Sequence, residues 1–369
     1  MVINLDSQEM VKEIDKSDML THLVKTPDYC RDAIKRAKRT DVPRKVKPKN
    51  IVIVGMGGSA IGGEILKAWL HDELPIPIEV NRDYNLPAYV NKDTLVFANS
   101  YSGNTEETLS AFLAALRRKC KTIAITSGGQ LGAFCKKLQV PHVTIPSGLP
   151  PRAAVPYLFF PLSTFMKKIG ILPPNLKGEI DKAIHILEKV GVANSPSVPT
   201  ENNKAKKLAR ELIGTIPIVY GFRQYSAIAH RLKTQFNENS KVLSRHEVFP
   251  ELNHNETVGW EAPENLIKNY SVILIRDPEE PTEIRNRIET TSSLVFSRAK
   301  KVLEITAEGE GKLEKMVSVL CVGDFASVYL AILQNKDPTP VKIIDRVKKE
   351  LAKKTNMKER LETELKGLK

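Results

Sequence analysis

The sequence predicts two doubly wound, parallel-sheet α/β domains with N- and C-terminal helical extensions, and three observations lead there. Short apolar runs alternate with longer stretches in which apolar residues recur at the helical period. Two of the apolar runs end in turns rich in glycine and serine: Ile51-Val52-Ile53-Val54 leads into Gly55-Met56-Gly57-Gly58-Ser59, and Leu95-Val96-Phe97-Ala98 leads into Asn99-Ser100-Tyr101-Ser102-Gly103-Asn104-Thr105. The plan then recurs, because Ile216-Pro217-Ile218-Val219-Tyr220-Gly221 repeats the strand-then-glycine start of the first run. Alternation of this kind means a parallel sheet with right-handed crossovers.

Residues 1–45 form a polar N-terminal extension, helical over 7–40 and without motifs. The first domain covers 46–190, with strands expected at 50–54, 77–81, 94–98 and 121–126. Between them Ile61, Ile65, Leu66 and Trp69 mark one apolar helical stripe, and Leu109, Phe112, Leu113 and Leu116 mark another. Asn104 with Glu107 three residues later suits a capping box at the start of the second helix. Residues 191–204 collect turn formers and prolines, so the linker is expected there. The second domain covers 205–335, with a strand at 216–221, a helical face of Tyr225, Ile228, Leu232 and Phe236, and further strands at 271–275 and 316–322. Asp337-Pro338-Thr339-Pro340 breaks the chain before a charged helical tail over 336–369.

A chain of 369 residues with 41% hydrophobic residues can bury a sizeable core, and its length suits two domains. No apolar run is expected to approach the roughly 20 residues that span a bilayer. The opening Met1-Val2-Ile3-Asn4-Leu5-Asp6 lacks the basic and apolar blocks of a secretory signal, so the expected location is cytoplasmic, with no membrane partner. Cys30, Cys120, Cys135 and Cys321 are scattered without metal-ligand spacing and read as reduced thiols. The net charge of +13 raises the question of nucleic acid. Its excess is concentrated in residues 31–49, with nine basic and two acidic, and 341–369, with ten basic and five acidic. Neither segment interleaves aromatics for base stacking, so both read as solvated helix faces, and no nucleic-acid partner is expected. A positive field would still speed encounter with an anionic small molecule.

In a parallel sheet both serine-rich turns lie at the carboxyl ends of strands, where backbone N–H groups and helix N-termini converge on an anion. Glycine lets the backbone approach, as at Gly58, and the hydroxyls of Ser59, Ser100, Ser102 and Thr105 can donate to phosphate oxygens. The pair of turns resembles the SIS domain, a sugar-isomerase fold that binds phosphosugars, whose most recognisable signature is the segment written here as Asn99 to Thr105. Further along, Phe236-Asn237-Glu238-Asn239-Ser240 and Pro250-Glu251-Leu252-Asn253-His254-Asn255-Glu256 resemble the second half of the bifunctional phosphoglucose/phosphomannose isomerase family. The resemblance spans roughly residues 45–348 and makes both domains SIS-type.

The resemblance implies interconversion of glucose 6-phosphate and mannose 6-phosphate with fructose 6-phosphate, with no cofactor and no metal. It also implies a homodimer in which a histidine reaches the neighbouring subunit's active site. The chemistry requires ring opening, proton movement between C2 and C1, and stabilisation of an enediolate. Glu238 matches the family's base, which can take and return the proton. His254 matches the ring-opening histidine, titrating near neutrality with a reference pKa of about 6.5. Arg152, stiffened by Pro150 and Pro151, matches the arginine beside the enediolate. The family's lysine in the last helix falls on Lys348, with Lys342 and Lys349 close by, and Thr339 matches the wall of the pocket near C2.

Two other readings compete. Gly55-x-Gly57-x-x-Ala60 satisfies a dinucleotide fingerprint, with Glu79 or Asp83 near the ribose-binding position, but a pyrophosphate calls for no second serine turn. A non-catalytic phosphosugar-binding regulator would use the same phosphate turns, yet it has no use for Glu238, His254 and Arg152.

Overall fold

The computed structural model describes residues 3–367, in two compact units. One comprises the chain up to Pro27 with Gly178–Pro340, and the other Asp28–Lys177 with the chain from Val341. The N-terminal segment forms α1 (Gln8–Ile14), α2 (Met19–Val24) and α3 (Thr26–Arg39).

Strands β1 (Asn50–Val54), β2 (Ile78–Asn81), β3 (Thr94–Ser100), β4 (Lys121–Thr126) and β5 (His142–Thr144) build a sheet in the order β2-β1-β3-β4-β5, parallel throughout. Successive side chains on a strand face opposite sides, so the near-complete burial of Ile51, Val52, Ile53 and Val54 means that both faces of β1 are covered. The covering helices are α4 (Gly58–Leu70), α5 (Glu106–Arg117), α6 (Gly129–Lys137) and α7 (Val155–Ile169). Ile61, Ile65, Leu66 and Trp69 of α4 are all buried, as are Leu109, Phe112 and Leu113 of α5. Burial of each such side chain stabilises by about 1.5–3 kcal/mol.

The other unit holds α8 (Glu179–Ala193), α9 (Lys204–Glu211), β6 (Ile216–Phe222), α10 (Tyr225–Gln235), β7 (Arg245–Phe249), two single-turn helices α11 (Glu256–Gly259) and α12 (Glu264–Ile267), β8 (Tyr270–Arg276), α13 (Thr282–Leu294), β9 (Lys301–Thr306) and α14 (Lys312–Leu333). Its parallel sheet runs β7-β6-β8-β9. The face expected on α10 is wholly buried at Tyr225, Ile228, Leu232 and Phe236. The final helices are α15 (Lys342–Lys354) and α16 (Met357–Lys366), and Leu361 and Leu365 of α16 pack onto Phe112 and Phe134 in the core beside α5 and α6.

Three expectations need correction. Residues 316–322 are not a strand but lie within α14, a 22-residue helix buried from Lys315 to Ile332. Its valines carry strand propensity, but a helix apolar all round sits inside a core, and local pattern cannot tell it from a buried strand. That helix is also long and apolar enough, by length and composition, to cross a bilayer, against the expectation of no such run; here it lies 94% buried inside the protein. The capping box at α5 does not form, because Thr105 is the N-cap and Asn104 Oδ1 instead accepts from Gln130 N at 3.0 Å. Residues 191–204 lie inside the unit that holds Gly178–Pro340.

Candidate active site

The order β2-β1-β3-β4-β5 reverses direction between β1 and β3, and open α/β sheets bind ligands at the carboxyl ends of strands on either side of such a point. The two serine-rich turns occupy those two ends. They are joined directly: Tyr101 N donates to Ser59 Oγ at 3.0 Å, and Asn99 Nδ2 to Ser59 O at 3.4 Å. Within the second turn Ser100 Oγ accepts from Gly103 N and donates to Thr105 Oγ1, both at 3.1 Å, while Ser102 Oγ accepts from Asn104 N at 3.2 Å. A hydroxyl that accepts still has its own proton to donate, so Ser59, Ser102 and Thr105 are the hydroxyls this arrangement leaves with a proton for an anion. Ser100, fully buried, supports Thr105. Gly103 permits the fold of this turn: its φ is +70°, and a Cβ would stand 1.9 Å from Gly128 O.

Arg152 belongs to the same constellation. It lies in a single 3-10 turn, Pro151–Ala153, and is 2% exposed. Gly58 lies so close that a Cβ on it would come within 2.9 Å of Pro151 O and 3.4 Å of Arg152 N. Leu149 N, just upstream, donates to the Tyr101 hydroxyl at 2.8 Å. Gly58, Ser59, Ser100, Ser102, Thr105 and the Arg152 turn are therefore brought together within one unit.

Glu238 and His254 belong to the unit of the second sheet. Helix α10 continues into one π-helical turn, Phe236–Ser240, with half-buried Glu238 at its centre. Single π-turns frequently mark functional sites. This one is pinned to α14, with Asn239 Nδ2 donating to Ser327 Oγ at 2.9 Å and Ser240 Oγ to Ser327 O at 2.6 Å. Lys241, at φ +55°, ends the turn, and its Nζ donates to the carbonyls of Glu238 at 2.9 Å, Asn239 at 3.1 Å, Asp337 at 2.9 Å and Pro338 at 2.6 Å. Thr339 follows, half-buried, its N donating to Asp337 Oδ1 at 2.9 Å. His254 closes the 3-10 turn Glu251–His254 and is exposed. The carboxylates flanking it are engaged: Glu251 Oε1 accepts from Asn255 at 2.8 Å, and Glu256 from Tyr220 at 3.2 Å and Arg245 at 3.1 Å.

The second sheet has its own reversal, between β6 and β8, but its turn carries Asp277, Glu279 and Glu280 where the first has serines. Lys315 lies 3.2 Å from Asp277 and 2.5 Å from Glu279, and Tyr225 donates to Asp277 at 2.6 Å. Carboxylates already holding a cation do not suit a phosphate. Lys348, Lys342 and Lys349 are all exposed on α15, and nothing in their placement separates them. Among the dinucleotide candidates, Glu79 accepts from the Tyr89 hydroxyl.

Sequence reasoning missed the turn after β4. Ser127 Oγ donates to Tyr101 O at 2.6 Å and Ser127 N to the same oxygen at 2.9 Å, so this turn buttresses the second serine-rich turn. The signal was present: Thr126-Ser127-Gly128-Gly129 follows an apolar run as the other turns do.

Comparison with known proteins gives a consistent picture. Residues 46–138 match the SIS domain family, and residues 201–351 match the bacterial phospho-glucose isomerase C-terminal SIS domain. A bifunctional phosphoglucose/phosphomannose isomerase of Caldicellulosiruptor bescii is 41% identical, over 90% of this chain and 99% of that protein. The protein of the same description from Aquifex aeolicus is 36% identical over 85% and 94%. A D-glucosamine-6-phosphate 4-epimerase of Sulfolobus acidocaldarius is 28% identical over 87% and 94%. Among solved structures, a glucose-6-phosphate isomerase like protein from Thermus thermophilus shares the fold with a TM-score of 0.64 at 18% identity, covering 93% of this chain and 99% of that one. All three relatives are named as enzymes, which lends nothing to the regulator reading.

Proposed function

The chain belongs to the bifunctional phosphoglucose/phosphomannose isomerase family, and from that premise we infer that it is an aldose–ketose isomerase interconverting glucose 6-phosphate and mannose 6-phosphate with fructose 6-phosphate. The observation that carries the reading to residues is the meeting of two hydroxyl-bearing turns at the β1/β3 reversal, beside the turn of Arg152.

The phosphate is held by Gly58 N, the hydroxyls of Ser59, Ser102 and Thr105, and the positive ends of α4 and α5. Ser100 keeps Thr105 oriented. With the phosphate fixed, the far end of an open-chain sugar has a defined reach, and holding reactants in place removes much of the entropic barrier. His254 and Lys348 exchange the protons of ring opening. Glu238 abstracts the proton from C2 or C1 and returns it to the other carbon, acting as base and then acid. The Arg152 guanidinium stabilises the negative oxygen of the enediolate, a charge that exists only along the reaction path. Planarity at C2 makes the glucose and mannose phosphates converge on one enediolate, and rotation about the C2–C3 bond presents either face of C2 to the one base, with Thr339 at the pocket wall near C2. The protein works as a homodimer in which His254 serves the neighbouring subunit's site. A coupled assay supplying fructose 6-phosphate and measuring both aldose products tests the reading; formation of neither would overturn it.

A further inference from the structure

We propose that Tyr101 is a positioning residue for the isomerisation, its hydroxyl fixing where the Arg152 turn stands relative to the phosphate turns. The inference rests on the reaction assigned above. Tyr101 ties its own turn to the turns after three other strands. It lies in the turn after β3, and its N–H donates to Ser59 Oγ after β1 at 3.0 Å. Its carbonyl accepts from Ser127 after β4, and its hydroxyl accepts from Leu149 N after β5 at 2.8 Å. Any residue could make the backbone contacts. Only the phenol reaches Leu149, and it does so from a buried position, 7% exposed.

What makes that one bond matter is the sequence that follows it. Pro150 and Pro151 have no N–H, so Leu149 supplies the last backbone donor upstream of Arg152. Both prolines also hold φ near its fixed value, and Ala153 N and Ala154 N close the 3-10 turn onto Pro150 O at 2.8 Å and Pro151 O at 3.2 Å. From Leu149 to Ala154 the chain is thus a stiff arm. Just upstream, Gly148 has a φ of +92°, which glycine adopts without the strain a side chain would bring. A displacement at Leu149 is therefore transmitted along the arm to Arg152, and burial pushes the Tyr101 hydroxyl above its ordinary pKa, keeping it neutral through the working range.

Tyr101→Phe removes the hydroxyl and leaves the ring. Expected is a fall in kcat of about 10- to 100-fold, the scale of a misplaced catalytic group, with KM for fructose 6-phosphate within about threefold because the phosphate hydroxyls remain. In an Arg152→Lys background, itself slowed, Tyr101→Phe should cost less than about twofold more, since coupled residues are not additive. Leu149→Pro deletes the same bond from its donor side and should reproduce the kcat loss, which covers a Tyr101→Phe chain that does not fold. Unchanged kcat in either folded variant, a loss confined to KM, or equal losses in both backgrounds would overturn the positioning role. Wild-type protein without isomerase activity would overturn the assigned reaction itself, so the two failures are separable.

Discussion

Ser100 Oγ donates to Thr105 Oγ1 over 3.1 Å, so in the turn after β3 a buried hydroxyl orients a second one. A hydroxyl has a single proton, and Ser100's is directed to Thr105. On the proposed function the two residues have different duties: Thr105 would face the anion, and Ser100 would hold Thr105 ready.

Substitutions should separate those duties. Thr105→Val keeps the shape and removes a hydrogen bond to a charged group, worth about 1.5–3 kcal/mol, which corresponds to roughly 10- to 150-fold in KM. Ser100→Ala should raise KM less, because Thr105 still donates. Ser59→Ala should resemble Thr105→Val in KM and also lower stability, since Tyr101 N loses its partner. Steady-state kinetics of the three variants, with thermal melts as folding controls, decide the matter. Equal KM values for wild type and Thr105→Val would remove Thr105 from the site.

Glu238→Gln keeps the shape of the side chain and removes the proton carrier, so kcat should fall by about 10²–10⁴-fold with substrate binding retained. His254→Ala should impair ring opening and matter less with an open-chain substrate. If each subunit lends its histidine to its neighbour, mixing the two variants under conditions of subunit exchange should restore partial activity. Exchange without recovery would place His254 in its own subunit's site or outside the chemistry.

Much of this was legible because the relevant signals are local. The strand-then-glycine turns announce β1, β3 and β6, and the apolar stripes of α4, α5 and α10 lie buried as their period requires. Strands β5, β7 and β9 were not legible. β5 has three residues, Arg245-His246-Glu247 opens β7 with polar side chains, and β9 alternates exposed and half-buried positions until Ile305, the pattern of an edge strand. The helix α14 was misjudged because its burial is a tertiary fact. Of the residues proposed for the site, Glu238, Ser59 and Arg152 stand out as motif residues. The contact of Tyr101 was not legible, since its partner Leu149 is 48 residues away and only the stacking of strand ends brings them together.

The attachment of α10 to α14 predicts a stability effect distinct from catalysis. Arg231 Nε and Nη2 donate to the two oxygens of Asp324 at 3.1 and 2.9 Å, with both side chains buried. Arg231→Met strands a carboxylate in the interior and should cost about 3–5 kcal/mol. Arg231→Met with Asp324→Leu removes both charges and should recover most of that loss. Urea unfolding of both variants measures it. A double variant no more stable than the single one would show that the pair contributes more than charge compensation.

A pH dependence follows from Asp6 and Lys206. The Lys206 ammonium is fully buried and is held by Asp6 Oδ1 at 2.9 Å, Pro196 O at 2.9 Å and Val198 O at 2.8 Å. Burial alone would raise the Asp6 pKa, but the bonds from Lys206 and Thr200 outweigh it and hold the carboxyl below its ordinary 3.8. A carboxylate whose pKa is lower folded than unfolded contributes its stability above 3.8, and that contribution fades as pH falls through the folded value. Asp6→Asn should therefore destabilise at pH 7 by about 1–3 kcal/mol, a figure already discounted for the partial exposure of Asp6. The gap between wild type and variant should shrink as pH falls below 3.8 and close once Asp6 is protonated in both folded and unfolded chains. Denaturant melts across that range read the difference directly. A gap that stays constant from pH 7 to pH 2 would mean that Asp6 acts through packing and not through its charge.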